Sequence, residues 1–513
     1  MSEEEKKELE VAESDNAEVA DVEEPAAEQP VEEAPAEQPA EPVQDETPAE
    51  EPEKPKKAKK ERKKPTKEQK KRKLIKGLII AGSILLAFAI FISGCAIANA
   101  TGTKALLKQG SSVEKVAYTE HAQLHPVKDT DGYWSFTQPT DREFKVVQFT
   151  DVHIGGGCFS SQKDAWAMNA VATMIRQEQP DLVIVTGDIA YPVPFQAGTF
   201  NNLHATQIFS NMMESLGVYW TFAFGNHDTE IYGTHDKQDI IKYYEGQNYK
   251  YCLFERNPKI DDTQTKDGFD EAGAGNNIIK VKNAAGIVTQ ALVVLDSHSY
   301  FDGDYLGIQW KYDNLHQCQV DWYTQELDAI RAKNVEIGGN AYDVPVKNTA
   351  FFHIPLVEYR DAWAQVVEKK GEIKNQTLTK GEVISEDVTY YYGVMGEDYQ
   401  TRHGVTTYGV FCGYREDNFF EEGLTHGLEA VFCGHDHYNN FSISYKGIRL
   451  TYGMSIDYLA YSGIYKVHSQ RGCTVISLGA DGGIDWDHSG PKNYYRDYTG
   501  VEAEQGDISD IKY

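Results

Sequence analysis

Cysteine is scarce in this chain, which has 7 in 513 residues, and no two of them are spaced as CxxC. Zinc knuckles are built on such pairs, so a site of this kind is disfavoured. Cys433 lies in an apolar run and is interpreted as a small core residue. The six cysteines after Cys95 are an even number, which permits disulfides if this part of the chain is exported.

Basic residues are outnumbered, since 50 Lys and Arg face 79 Asp and Glu, for a formal net charge of −29. This charge disfavours non-specific binding to nucleic acid, and we expect no nucleic-acid partner. Aromatic and long aliphatic side chains are nearly absent from residues 1–53, which are rich in Glu, Ala and Pro. Such a segment cannot bury enough apolar surface to order itself, so a disordered tail is predicted. Residues 54–73 reverse the sign and form a basic juxtamembrane segment.

A single apolar run, residues 74–98, is long enough to cross the hydrocarbon core of a membrane as one helix. Basic residues precede it and are sparse after it, which predicts a cytosolic N-terminus, a single-pass plasma-membrane protein and an extracellular location for the residues that follow the run. Two alternatives stay open. The segment around Cys95 resembles a lipobox, and Ala98-Asn99-Ala100 resembles a signal-peptidase site. The full spanning length and the long preceding segment favour an uncleaved anchor, and all three interpretations export the domain.

Five apolar runs further along the chain each end in metal-ligand residues. Asp151-Val152-His153 follows a strand predicted at 144–149, and Asp188 follows one predicted at 181–186. The other runs are 220–224, a short run before His353, and a run before His435-Asp436-His437. Ligands in open α/β sheets bind beyond the carboxyl ends of strands, so these side chains are expected to converge. Between them, these motifs hold five of the 15 histidines.

The ordered set DxH, GD, GNHD, a lone His and GHxH resembles the calcineurin-like metallophosphoesterase superfamily. FFHIPLVEY, VLDSHSY and GLEAVFCGHDHYNNF resemble its branch related to purple acid phosphatases, and the resemblance covers roughly residues 144–486. It implies an α/β fold with two face-to-face mixed sheets flanked by helices, a four-layer sandwich, here preceded by one transmembrane helix. The expected segments are a stalk at 99–141, a catalytic domain at 142–487 and a polar tail at 488–513.

The resemblance also implies a site for two divalent or mixed-valent transition-metal ions. Asp151, His153 and His437 would hold one ion, Asn226, His353 and His435 would hold the other, and Asp188 would bridge them. Mixed nitrogen, amide and carboxylate donors suit Mn, Fe or Zn. A hydroxide held by the ions would attack phosphorus, with His227 as general acid and Asp228 orienting its imidazole.

Other polar residues near these motifs have separate interpretations. Tyr191 matches the GDxxY tyrosine of purple enzymes, but His153 would serve the same position, so Tyr191 is interpreted as a pocket wall and a purple enzyme is not expected. Gly155–Gly157 would let the backbone approach a phosphate. His298 is interpreted as structural or a substrate contact, and Asp436 is left unassigned.

The sequence therefore predicts a phosphomonoesterase that acts on a phosphorylated small molecule or surface substrate. A phosphodiesterase for cyclic nucleotides or lipid headgroups is one alternative. A cell-surface binding protein on an inactive phosphoesterase scaffold is the other. The sequence does not decide the substrate, the metal or the oligomeric state.

Overall fold

The computed structural model describes residues 66–260, 272–301, 304, 307–461 and 471–492. The predicted acidic tail, most of the predicted basic segment and the end of the predicted polar tail lie outside these residues. The described helices are α1 Lys67–Gly110, α2 Ser161–Glu178, α3 Pro194–Ala197, α4 Asn202–Leu216, α5 Lys237–Gly246, α6 Gln317–Gly338, α7 Val357–Lys370 and α8 Phe419–His426, with a 3-10 turn at Asn340–Tyr342.

Helix α1 contains the predicted apolar run and continues beyond it. Among the described residues it is the one helix long and apolar enough to cross a membrane, and none of its most apolar stretch is buried. Its last part differs, because Thr103, Leu106 and Gln109 are buried against the domain that follows. The segment at 99–141, predicted as a stalk or a surface-packed lead-in, therefore begins with a helix that packs on the domain.

The smaller sheet carries the first part of the site. Its five strands run in the order β17 (Gly490–Lys492), β16 (Cys473–Leu478), β3 (Phe144–Phe149), β4 (Leu182–Thr186) and β5 (Trp220–Ala223). The last three are parallel to one another. Helices α2 and α4 make the two crossovers, and both end at left-handed C-caps, Gln179 and Gly217. The sequence predicts strands at 144–149, 181–186 and 220–224 joined by crossover helices at 163–177 and 200–216, and all of these elements are present.

The larger sheet has ten strands, some parallel and some antiparallel. Their order is β1 (Val127–Lys128), β2 (Trp134–Thr137), β6 (Asn277–Lys282), β7 (Val288–Val294), β8 (Asn348–Phe351), β13 (Leu428–Cys433), β15 (Ile448–Tyr452), β14 (Ser442–Tyr445), β10 (Val388–Tyr392) and β9 (Glu382–Val383). A separate hairpin pairs β11 (Thr401–Arg402) with β12 (Val405–Thr406).

Alternation along the central strands of this sheet divides the apolar side chains between two cores. Phe351 and Phe432 belong to the core that includes the smaller sheet, α2 and α4. Their neighbours Phe352 and Val431 belong to the core under α6, α7 and α8. Because successive strand residues point to opposite faces, the larger sheet is covered on both sides. The predicted arrangement of two sheets flanked by helices is confirmed.

Three details differ from the sequence predictions. The apolar runs at 450–453 and 474–478 predict strands that together complete a second sheet, but β15 lies in the larger sheet and β16 pairs with β3 in the smaller one. The lead-in before residue 142 supplies β1 and β2, with Phe136 fully buried. The polar, tyrosine-rich composition of 364–413 predicts a solvated insertion or a lid over the site, but β9 and β10 within this stretch extend the edge of the larger sheet.

Candidate metal centre

Strands from both sheets end at one buried cluster of polar side chains. The residues that follow β3, β4, β5, β8 and β13 there are Asp151, His153, Asp188, Asn226, His353, His435 and His437. Four of them offer ligand atoms within 4.8 Å of one another and are all buried, namely Asp151, His153, Asp188 and His437. The convergence expected from the strand ends is therefore present in the structure.

The other three residues are Asn226 and two histidines whose imidazoles lie near its side-chain oxygen. His435 Nδ1 lies 2.9 Å from this oxygen, and His353 Nε2 lies 3.1 Å from it. The two imidazole nitrogens are 3.4 Å apart. Asn226, His353 and His435 thus form a second donor group beside the first.

Asp188 lies between the two groups. Its Oδ2 is 3.2 Å from His153 Nε2 in the first group and 3.2 Å from His353 Nε2 in the second. Burial alone would raise the pKa of this carboxyl, but His353 and His227 hold the pKa well below its usual value. An ionised carboxylate at this position is the one that two cations could share.

The backbone is strained where it presents these ligands. Asp151, His153, Asp188 and His435 have φ angles of 50°, 52°, 54° and 77°, in the left-handed region. Each such residue costs on the order of 1–3 kcal/mol, and this strain tends to persist at functional sites. Four strained residues in one cluster indicate that the fold is holding these side chains in place.

Two glycines permit the close approach of these segments. A Cβ at Gly225 would lie 2.2 Å from Asp188 Oδ1, and one at Gly434 would lie 1.8 Å from Thr150 Oγ1. Both distances are far below van der Waals contact. The glycines that precede Asn226 and His435 therefore let the second donor group pack against the ligand loops of β3 and β4.

The hydrogen bonds of the ring nitrogens that point away from the cluster determine whether the other ring nitrogens carry lone pairs that could bind cations. His353 Nδ1 donates to the Thr186 carbonyl at 2.8 Å, so in a neutral ring Nε2 carries a lone pair. That lone pair faces the oxygens of Asn226 and Asp188, which are also acceptors. His437 repeats the pattern, with Nδ1 on Asp457 at 3.0 Å and Nε2 facing Asp151 at 3.3 Å. Cations between these facing lone pairs would satisfy them, so the donor set fits metal ions.

Asp457 supports both histidines of the first group, and the sequence analysis missed it. Its carboxylate lies 3.0 Å from His437 Nδ1 and 3.4 Å from His153 Nδ1, and the residue is fully buried. Backbone N–H groups of 459–461 also donate to it at 2.8–2.9 Å. Its role could have been inferred from the sequence, because Asp457 follows strand β15 just as each candidate ligand follows its own strand.

His227 stands beside the cluster in a hydrogen-bonded chain. Its Nδ1 lies 2.8 Å from Glu230 Oε1, which also accepts from the Tyr300 hydroxyl at 2.9 Å. Tyr300 in turn accepts from Asn226 Nδ2 at 3.0 Å. The imidazole is therefore oriented by a carboxylate and linked to a candidate ligand, while its side chain stays 23% exposed.

Asp228 does not take the orienting role expected of it. Its carboxylate accepts from the backbone N–H groups of Gly225, Asp188 and Ala190 at 2.8–3.0 Å. These bonds turn the side chain away from His227 and tie the ends of β4 and β5 together. Glu230, three residues after His227, contacts the imidazole in its place.

The glycine run after His153 also differs from its interpretation. The N–H groups of Gly155 and Gly156 donate to Asp164 at 2.8 and 3.0 Å rather than facing the cluster, and that of Gly157 donates to Ser160. Burial raises the pKa of Asp164 to about 7. The run is a tight turn closed by its own helix α2.

Tyrosine rings wall the centre. Tyr191 stacks on His153 at 4.6 Å between centroids, and Tyr312 and Tyr461 meet His435 and His437 edge-on, each at 4.2 Å. The position of Tyr191 agrees with its interpretation as a wall.

Two other residues from the sequence analysis have structural partners. His298 stacks on His316 and lies 3.0 Å from Gln319 Oε1, and burial lowers its pKa to about 4. Asp436 accepts from the Phe411 backbone N–H and from the Tyr452 hydroxyl. Both sets of contacts are those of structural residues.

Known proteins resemble this chain in sequence and fold. Probable inactive purple acid phosphatases 28 and 29 of Arabidopsis thaliana are 24% and 25% identical to it, over 63% and 66% of this chain and 72% and 78% of their own lengths. A dimetal phosphatase from Danio rerio aligns over 66% of this chain and 94% of its own, with 9% identity and a TM-score of 0.37.

The family described as calcineurin-like phosphoesterases matches residues 144–439, which is more than half of the chain. The match begins at the first residue of β3 and ends two residues after His437, so it contains all the candidate ligands. It stops before Asp457 and before residue 486, where the sequence resemblance was expected to end. The superfamily inferred from the motifs is confirmed, and the chain belongs to the calcineurin-like phosphoesterase family.

Proposed function

We propose that this protein is a membrane-anchored, outward-facing phosphomonoesterase that depends on two transition-metal ions. The observation that carries the proposal is the position of Asp188, whose one oxygen is 3.2 Å from a histidine of each donor group. A single carboxylate between two nitrogen-bearing groups is the arrangement that a pair of ions requires.

The residues that would hold the ions belong to the two donor groups described above. Asp151, His153 and His437 would bind one, and Asn226, His353 and His435 would bind the other, with Asp188 shared. Manganese, iron or zinc suits such mixed donors. When bound, the ions would neutralise the phosphate oxygens and lower the pKa of water at the site.

The chain's own contribution to the chemistry is proton delivery at the leaving oxygen. Hydrolysis breaks the bond between phosphorus and that oxygen, with the oxygen of water ending on phosphorus and a proton on the leaving alcohol. Glu230 engages Nδ1 of His227, so Nε2 is the nitrogen that faces the substrate. We assign His227 as the general acid and Glu230 as the residue that positions it.

The membrane part of the proposal is supported by helix α1. Its apolar side chains from Leu74 to Ile97 are exposed, as they would be in lipid, and lysine and arginine precede them. The excess of basic residues before the helix favours a cytosolic N-terminus. The domain after the helix would then be outside the cell.

One observation favours a second candidate. The curated relatives described above carry names that call them probably inactive. A cell-surface binding protein on a phosphoesterase scaffold is therefore the alternative to be tested. Against it, every position of the donor set and the general acid is filled in this chain.

The test is hydrolysis of an aryl phosphate and of the matching bis-aryl diester by the full chain in detergent, with metal content measured on the same sample. Asp188→Asn and His227→Ala are the variants, and His235→Ala, a half-exposed histidine on the same connection, is the matched control. Monoester turnover with two bound ions, lost in both variants and kept in the control, supports the proposal. Diester preference refutes the monoester assignment. Folded protein that binds no added manganese, iron or zinc and turns over neither substrate favours the binding protein.

A further inference from the structure

An exposed apolar face lies where helix α1 joins the catalytic domain. We define the phenylalanine face as Phe159, Phe195 and Phe200, whose exposures are 57%, 92% and 50%. In the part of the chain that the structure describes, these are the phenylalanines outside α1 that rank as exposed. Exposed aromatic clusters mark surfaces that contact a partner or a membrane.

The three rings belong to two loops that pack on each other. The Phe159 N–H donates to the Ala197 carbonyl at 3.1 Å, and the Phe159 ring lies against Gly198, where a Cβ would be 2.9 Å from it. Phe195 lies within α3, just before Gly198, and Phe200 follows just after it. The three phenylalanines therefore flank Gly198, one in contact with it and the other two close to it along the chain.

Helix α1 is fixed to these loops at the end of its apolar run. Asn99 Nδ2 donates to the Gly198 carbonyl at 2.9 Å, and Asn99 Oδ1 accepts from the Cys158 N–H at 2.7 Å. The apolar run ends at residue 98, so Asn99 sits where the helix would leave the hydrocarbon. The phenylalanine face is thus held at the depth of the membrane interface, where amphipathic protein surfaces bury their aromatic and aliphatic side chains.

The same loops lead into the metal centre. Tyr191, which stacks on His153, begins the segment that carries Phe195 and Phe200, and its ring also meets the His227 imidazole edge-on at 4.9 Å. Ile231, four residues after His227, is 63% exposed, and its segment is bonded to Phe200 through the Thr234 N–H. The segments that carry Tyr191 and Ile231 therefore join the phenylalanine face to the surroundings of His227.

We infer that the phenylalanine face lies in the bilayer interface and that the substrate is a lipid phosphomonoester taken from the same membrane. This inference rests on the proposed function, because it places the alcohol part of the ester on the His227 side of the centre. A general acid must be next to the leaving oxygen, so the leaving group points along Tyr191 toward the phenylalanine face. An acyl-bearing alcohol would find apolar surface there, and a small sugar alcohol would not.

The experiment uses the full chain in phosphatidylcholine vesicles. One substrate is dioleoyl phosphatidic acid in those vesicles, and the other is a water-soluble aryl phosphate. The variant replaces Phe159, Phe195 and Phe200 by serine, and the control replaces three exposed apolar residues elsewhere, Ile337, Val344 and Val383, by serine. The ratio of kcat/KM for the lipid to kcat/KM for the aryl phosphate should fall about tenfold or more in the variant and stay constant in the control.

A second readout does not depend on catalysis. Tryptophan is placed at Phe195 in one chain and at Ile337 in another, and quenching by brominated lipid is compared, since the 7 native tryptophans contribute equally to both. Greater quenching for Phe195→Trp supports the membrane contact, and equal quenching overturns it. An unchanged substrate ratio overturns the lipid assignment. A chain that hydrolyses neither substrate refutes the proposed function and the lipid assignment with it, while the quenching result still decides the contact.

Discussion

Replacing Asp457 by asparagine isolates the part of the centre that orients ligands without being one. The change keeps the size of the side chain and removes its charge. One of the two oxygens that face His153 and His437 becomes an NH2 group, which cannot accept the imidazole proton. The affected ring would then favour the tautomer that carries hydrogen on Nε2, the nitrogen that faces the metal positions.

The magnitude follows from the two contacts. Loss of one partner on the far side of a metal-binding histidine costs about 10- to 100-fold in metal affinity. Asp457 contacts two such histidines, at 3.0 and 3.4 Å, and asparagine keeps an acceptor for one of them, so we expect the affinity of the first ion to fall by roughly 10- to 100-fold. This corresponds to about 1.4–2.7 kcal/mol, at 1.36 kcal/mol per decade.

The assay is titration of metal-free protein with manganese in a calorimeter, with bound metal counted afterwards. Asp181→Asn is the matched control, since Asp181 is also fully buried but pairs with Arg142 beyond the opposite end of β4. It should lose stability and keep the metal affinity. If Asp457→Asn binds manganese as tightly as the parent, the orienting role is wrong.

Three further outcomes are expected. Glu230→Gln should lower kcat by about 10²-fold for alkyl phosphates and by less than about tenfold for p-nitrophenyl phosphate, because a good leaving group needs little help from the proton on His227. The measurement is a leaving-group series. Asn99→Ala removes two hydrogen bonds between α1 and the domain, and should cost about 2 kcal/mol of unfolding free energy, seen as a lower urea midpoint. Glu358→Gln should stabilise the chain at pH 8 by about 4 kcal/mol and have little effect at pH 4, as followed by thermal unfolding at each pH.

The sign of the last expectation follows from the carboxyl's environment. Burial, with Asp417, Glu421 and Asp361 nearby, raises the pKa of Glu358 from 4.5 to about 8. The folded state therefore holds a proton that the unfolded state has released, and stability falls as the pH rises from 4.5 to 8. The neutral amide removes this loss.

Each of these expectations can fail separately. A parallel loss for both kinds of leaving group would assign Glu230 to binding or folding. An unchanged urea midpoint for Asn99→Ala would mean that α1 is not docked on the domain. A stability gain for Glu358→Gln that is equal at pH 4 and pH 8 would show that ionisation is not its origin.

The positions of the candidate ligands could be predicted because each is local in sequence. Each is joined to an apolar strand, and strand plus polar terminus is a pattern that a single sequence displays. The helices α2 and α4 and the parallel order of β3, β4 and β5 follow from the same periodicity. The parts of the fold and site that depend on short runs of residues could therefore be predicted.

Contacts between segments that are distant in sequence could not be predicted. Asp228 and Glu230 are both acidic and both close to His227 in sequence. Only the fold shows that Asp228 accepts hydrogen bonds from the backbone N–H groups of 188, 190 and 225, whereas Glu230 contacts the His227 imidazole. The sheet assignment of β16 failed for the same reason. A six-residue apolar strand carries no information about which of two sheets it joins.

The buried carboxylates favour a centre that binds cations over an inactive centre that has lost them. Asp151, Asp188 and Asp457 are almost completely buried, and burying such charges costs several kcal/mol each unless they are compensated. Burial raises the pKa of Asp188 and Asp457, but the neighbouring histidines hold it well below the usual value and so compensate part of this cost. A scaffold used only for binding would be more stable with apolar side chains of similar volume at these positions. The proposed general acid is tied to the same set, because Glu230 contacts His227 and also accepts from Tyr300, which accepts from the candidate ligand Asn226. Candidate ligands, a supporting carboxylate and a positioned imidazole are together the groups that the proposed phosphoesterase activity requires.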